Sequence, residues 1–235
     1  MPVSDLSSVA QDYLKIIWSA TEWSDEPVTV KQLSERMGVR AATVSDGIRR
    51  LADQGLVLHE RYGEVGLTEA GRRHAVAMVR RHRLIETFLV EELGYGWDEV
   101  HDEAETLEHA VSDTFIDRMA AKLGHPVRDP HGDPIPAADG SVLMPPAVRM
   151  SELADGQGGR ITRISDENPD LLRYLATERI ELDAAVAVLG RKPFGGPLMV
   201  RIAGPDGSRE LDLADGVADA LWVHPESADT DQRGS

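Results

Sequence analysis

The residues best equipped for chemistry in this 235-residue chain lie in one run, Asp98-Glu99-Val100-His101-Asp102-Glu103-Ala104-Glu105-Thr106-Leu107-Glu108-His109. On a helix, His101, Glu105, Glu108 and His109 stand at i, i+4, i+7 and i+8 and share one face. Upstream, His82 and Glu86 form another i, i+4 pair. Ligand residues at that spacing can close on a single ion, and paired helices with inward Glu and His build carboxylate metal sites. Carboxylates this close repel one another unless a cation stands among them. The bland alternative is a solvated glutamate face with structural histidines. The chain has no cysteine, which excludes disulfides, thiolate zinc sites, iron–sulfur clusters and a cysteine nucleophile.

A second set of residues suits a polyanion. The stretch Arg40-Ala41-Ala42-Thr43-Val44-Ser45-Asp46 opens a helix with small and hydroxylated side chains, which let a backbone approach the major groove. Thr43 and Ser45 can bond phosphates or base edges, and Ala42 can touch a thymine methyl. Arg40, Arg49 and Arg50 supply phosphate contacts. The whole chain carries 25 basic and 41 acidic side chains, net −16, yet Lys31 to Arg83 holds eleven cations against six anions. That segment is +5, so the remainder is −21, and a basic island can meet DNA while the rest stays clear.

These residues need elements to position them. Val9, Tyr13, Ile16, Ile17 and Ala20 mark a first helix face. Thr29 and Gln32 form a capping box for a second helix that stops at Gly38, and a third runs from about Ala41 to Gly55. Leu56–Arg61 and Glu64–Thr68 read as two short strands around Tyr62-Gly63. Two helices and a hairpin make a winged helix-turn-helix. Thr68 caps a long helix to about Leu93, and Asp98 caps another to about Leu123. From Gly124 to Met150 come six of the thirteen prolines, a linker with little regular structure. Beyond it, alternating runs at Arg160–Ile164, Ala185–Leu189, Leu198–Ala203 and Arg209–Leu213 suggest a small β-barrel. Residues 227–235 read as a disordered polar tail. No apolar run reaches the roughly 18 residues of a membrane span, and the N-terminus lacks a secretory signal; a soluble cytoplasmic protein with no membrane partner is expected.

With these motifs assembled, the sequence resembles the diphtheria toxin repressor family of metal-dependent transcriptional regulators. Three stretches carry the resemblance: Arg81-His82-Arg83-Leu84-Ile85-Glu86, Val100 to His109, and Asp129-Pro130-His131-Gly132-Asp133-Pro134-Ile135-Pro136. It implies a mostly α N-terminal half with a C-terminal SH3-like β-barrel. The implied organisation is a winged helix over 1–73, a helical metal-binding and dimerisation domain over 74–145 that includes the proline linker, and an SH3-like domain over 146–226. It implies a primary metal site at Asp12, Glu105, Glu108 and His109. An ancillary site follows at His82, Glu86 and His101, completed from the SH3-like domain by Glu167 and Asp170. Iron-responsive members place methionine and cysteine where this chain has Asp12 and Glu105; manganese transport regulators place aspartate and glutamate there. Lys15 departs from the pattern, standing where short manganese regulators have a further glutamate ligand.

The resulting expectation is a homodimeric, Mn²⁺-activated repressor of metal-uptake genes that binds double-stranded operator DNA. An Fe²⁺-dependent regulator of the same family is the alternative ion. A metal-binding enzyme with a carboxylate/histidine centre is the alternative class, disfavoured by the winged helix and by the lack of a nucleophile–base pair or phosphate loop. A constitutive DNA-binding module with a purely structural Glu/His face is the third reading.

Overall fold

Thr29 opens the helix-turn-helix as its capping box predicts: its hydroxyl accepts the Gln32 amide at 3.2 Å, and the Gln32 side chain accepts the Thr29 amide at 2.8 Å. The protein is described here by a computed structural model over residues 5–59, 63–204 and 207–226. Residues 60–62, expected within the strand pair, and 227–235, expected as a polar tail, lie outside the described residues. Helix α1 (Ser8–Glu22) precedes α2 (Val30–Met37) and α3 (Ala41–Asp53). Gly38, at φ +65°, ends α2 in a left-handed turn that a side chain would strain. Strands β1 (Val57–His59) and β2 (Val65–Leu67) pair antiparallel as the wing. Tyr13, Leu14 and Ile17 of α1 are buried with Leu33, Val44, Ile48 and Leu51 in one core.

Helix α4 (Glu69–Leu93) follows, with the Thr68 hydroxyl accepting the Gly71 amide. The single helix expected from Asp98 to Leu123 is two, α5 (Val100–Glu108) and α6 (Asp113–Lys122). Two local interactions break it. The Ser112 side chain caps α6 by accepting the Phe115 amide, and buried Arg81 donates to the Glu108 and Val111 carbonyls at 3.1 and 2.7 Å. Arg81 also pairs with Asp113. His109 therefore stands in the turn just beyond α5.

The chain divides into two compact units. One runs up to Phe88 and adds Glu103–Val127 and Ile135–Val142; the other holds Leu89–Asp102, Arg128–Pro134 and the chain from Leu143. In the second unit, the short β3 (Val148–Arg149) leads to a six-stranded antiparallel sheet with β4 (Gly158–Ile164), β5 (Ala185–Arg191), β6 (Leu198–Gly204), β7 (Gly207–Leu213) and β8 (Leu221–Pro225). The strand order is β3-β8-β4-β5-β6-β7. Alternation puts Ile161, Val188, Val200 and Ile202 inside. Helix α7 (Pro169–Thr177), which the strand pattern did not anticipate, covers that core with Leu172 and Leu175. A short α8 (Asp215–Asp219) precedes β8.

The proline stretch has no helix or strand before β3, but it is not a free linker. Asp129 accepts the amides of His131 and Asp133, both at 2.9 Å, closing a tight turn. Asp133 accepts Arg163 Nε at 2.7 Å, and the Arg163 guanidinium lies 4.1 Å from the centre of the Trp222 ring. The carbonyl of fully buried His131 accepts the Ile164 amide. Gly132 has φ +93°, and a Cβ there would stand 2.1 Å from the Thr162 carbonyl oxygen. Gly132→Ala combines left-handed strain with a backbone clash and should destabilise this unit by about 2–4 kcal/mol, read from chemical unfolding. A variant as stable as wild type would show that the turn does not bear on β4.

Candidate metal centre

Glu108, at the end of α5, has no solvent exposure, so its charge must be met inside the protein. One oxygen, Oε1, accepts Lys15 Nζ from α1 at 2.5 Å and lies 3.5 Å from His109 Nε2. The other, Oε2, lies 2.6 Å from His82 Nδ1 on α4. Lys15 also donates to Glu105 at 2.6 Å, and His82 Nε2 lies 3.0 Å from Glu86. His109 Nε2 is 2.9 Å from Asp12 Oδ1. The geometry thus collects Asp12, Glu105, Glu108, His109, His82 and Glu86 in the first unit.

Two overlapping trios have potential ligand atoms within 4.8 Å of one another: Asp12, Glu108 and His109, and His82, Glu105 and Glu108. In the first, Asp12 Oδ1 is buried with no hydrogen bond. Gln11, which sequence reasoning passed over, accepts a hydrogen bond from His109 Nδ1 at 2.7 Å. That bond makes Nδ1 the donor and leaves Nε2, on the Asp12 side, as the nitrogen that would bind an ion. Carboxylate oxygens with one imidazole suit a hard or borderline divalent ion, and an unbonded buried carboxylate oxygen is a natural ligand for one.

Burial raises the Asp12 carboxyl above the usual range despite the nearby His109 and Lys15 charges. Burial pushes Glu108 the same way, but the His82 hydrogen bond, with the charges of His82 and Lys15, outweighs it and holds Glu108 low. Burial lowers Lys15, and the Glu108 and Glu105 carboxylates more than reverse it, so Lys15 remains an ammonium.

The remaining predicted ligands lie in the second unit. His101 Nδ1 is 3.6 Å from Asp166, and both line a cavity of about 230 Å³ together with Glu167. Asp170 does not turn towards it: its side chain is 88 % exposed and paired with Arg173 at 2.5 Å. Asp166, rather than Asp170, is the carboxylate beside His101, because Asn168 starts α7 by accepting the Asp170 and Leu171 amides and leaves Asp170 in the outward first turn. The DNA-directed set is laid out on one face. Arg40, Ala41, Ala42, Thr43, Ser45, Asp46, Arg49 and Arg50 are all exposed, while Val44, Gly47 and Ile48 face the core. Asp46 pairs with Arg49 at 2.9 Å.

Comparison with known proteins accounts for this architecture. Residues 5–65 match the family described as the iron dependent repressor N-terminal DNA binding domain, and residues 68–137 match its metal binding and dimerisation domain. Residues 148–225 match the FeoA domain. The iron-dependent repressor IdeR of Mycobacterium leprae is 30% identical over 198 residues, covering 79% of this chain and 86% of that protein. The chain belongs to the diphtheria toxin repressor family. The diphtheria toxin repressor of Corynebacterium diphtheriae is 34% identical over 137 residues, 58% of this chain and 60% of that one. Among solved structures, a manganese-dependent transcriptional repressor in complex with manganese is 57% identical, with TM-score 0.88, covering 92% of this chain and all of that one. The manganese regulator SloR is 32% identical, with TM-score 0.77, over 92% and 98%.

This member of the family is accordingly a metal-dependent transcriptional repressor that binds operator DNA and dimerises, and it is not an enzyme. It stands with the manganese transport regulator branch. Among the described residues, no helix is long and apolar enough to cross a membrane. In the metal-free repressor, burial disfavours the His82 imidazolium, but Glu86 and Glu108 raise its pKa to about 10, against roughly 6.5 when unfolded. The stabilisation from that charge is full below the unfolded value and is lost as pH rises through the folded one. In EDTA the thermal midpoint should fall from about pH 7 to about pH 9, and His82→Gln should flatten that slope. Equal wild-type and variant slopes would show that His82 is not held charged.

Proposed function

We propose that this repressor is activated by Mn²⁺ held at Asp12, Glu105, Glu108 and His109, and that it acts in the cytoplasm on operators of metal-uptake genes. The observation that carries the reading is the convergence of Asp12 Oδ1, buried and without a hydrogen bond, with His109 Nε2 and Glu108. A bound divalent ion supplies positive charge between the Asp12 carboxylate on α1 and the α5 ligands. Gln11 orients His109, and Asp12 draws α1 towards α5. Tyr13 of α1 reaches the Thr43 carbonyl of α3 at 3.4 Å, so a set position of α1 bears on the exposed face of α3. The domain limits given from the sequence, 1–73, 74–145 and 146–226, belong to this same proposal.

The ion preference follows from the donors. The set holds no thioether or thiolate, so it favours harder ions. Raw affinity rises from Mn²⁺ through Fe²⁺ towards Cu²⁺, so a manganese response depends on coordination number and geometry. Zn²⁺, satisfied by four ligands, can close its shell with Glu105, Glu108, His109 and a water and so leave Asp12 unengaged. The manganese-bound neighbour supports this choice; the iron-dependent relatives favour Fe²⁺ as the second reading. Operator binding measured anaerobically by fluorescence anisotropy, with occupancy followed in parallel, should be stronger with Mn²⁺ than with Zn²⁺ at equal loading. Asp12→Met with Glu105→Cys should shift the response towards Fe²⁺. Zn²⁺-loaded wild type that binds as well as Mn²⁺-loaded protein defeats the geometric argument.

Arg49 and Arg50, exposed on α3, are proposed to neutralise phosphates. Replacing both by alanine should weaken binding to all duplexes and reduce the salt slope by about 2, at roughly 0.9 for each phosphate no longer neutralised. An unchanged slope removes them from the interface.

A further inference from the structure

Asp12 and Lys15 are one turn apart on α1 and reach the same acidic cluster from the same face. Two ligand trios overlap there and share Glu108. The ammonium of Lys15 rests on Glu105 and Glu108 at 2.6 and 2.5 Å, which are two members of the trio completed by His82. We propose that Lys15 is a resident cation, filling the place a second metal ion would take between His82, Glu105 and Glu108, and so limits this cluster to one divalent ion. This rests on the reading that one ion binds at Asp12, Glu105, Glu108 and His109, with Lys15 holding only one oxygen of Glu105.

Charge balance supports it. Asp12, Glu86, Glu105 and Glu108 carry four negative charges, and Lys15, the His82 imidazolium and one divalent ion carry four positive. A second divalent ion beside a retained ammonium would leave uncompensated positive charge in a buried setting even after His82 gave up its proton, and like charges repel strongly there. Lys15 is itself buried, with its side chain 8% exposed, so it cannot swing aside into water without opening α1. Removing the ammonium leaves a negative charge unmet and frees oxygens of Glu105 and Glu108 for an ion beside His82.

The test uses the full-length protein stripped of metal and titrated with Mn²⁺. Ions per chain are counted by native mass spectrometry, and electron paramagnetic resonance reports whether two Mn²⁺ ions are close enough to couple. Saturated wild type should show no coupled pair. Lys15→Gln should gain one ion per chain together with the coupled signal, Lys15→Arg should keep the wild-type count, and adding His82→Gln to Lys15→Gln should remove the gained ion. A coupled pair in wild type overturns the inference without any variant. So does a Lys15→Gln protein with native circular dichroism and the wild-type ion count. The underlying reading fails separately, if Asp12→Ala leaves the wild-type ion count and affinity unchanged.

Discussion

Glu108 sets the terms for the first unit. A carboxylate with no access to water costs several kcal/mol unless charges and hydrogen bonds compensate it. Two residues distant in the chain provide that compensation, Lys15 on α1 and His82 on α4, and Glu108 itself belongs to α5. Satisfying one buried charge therefore brings three segments to one point. The winged helix is built on α1 through Tyr13, Leu14 and Ile17, so the segment that carries Lys15 to Glu108 also packs against α3 through ordinary core contacts. Communication between the metal centre and α3 needs only that α1 move as a rigid body.

The other end of α1 is held differently. Arg83 grips Glu22 through both guanidinium nitrogens, at 2.8 and 2.5 Å, in a largely buried pair. Bidentate pairing of this kind is directional and does not depend on a ligand. Helix α1 thus has one attachment to α4 through Glu22 and a second, through Lys15, to the carboxylates of α5. Arg81, next to His82, has the complementary task of holding the α5–α6 turn that places His109.

The second unit solves a different problem. Its core follows strand alternation, but the Asp129–Pro134 turn adds buried polar groups that are answered individually, Asp133 by Arg163 and Arg163 by Trp222. This turn explains why a proline-rich segment can be well placed without secondary structure: its side chains accept the amides that a helix or strand would have bonded.

Most of the helical half was legible from local rules. Thr29, Gln32, Gly38 and Thr68 announce their caps within a few residues, and the apolar spacing of α1 marks Tyr13 and Ile17 as buried, although Val9 at the start of the helix is exposed. The ligand types and their proximity along α5 were legible too, because helical spacing is itself local. Other features depended on partners distant in the chain. The break at Ser112 requires Arg81, some thirty residues earlier; α7 and β8 are stabilised by the sheet they cover or complete. Gln11 carried no signal, since its role is a single hydrogen bond to a histidine ninety-eight residues away. Asp166 rather than Asp170 faces His101 because the α7 cap turns Asp170 outward. Lys15 was visible as a departure from a pattern, but its meeting with Glu105 and Glu108 arises when α1 folds against α5. Local spacing specifies which residues share an element's face; which charges then meet depends on how those faces are brought together to bury Glu108.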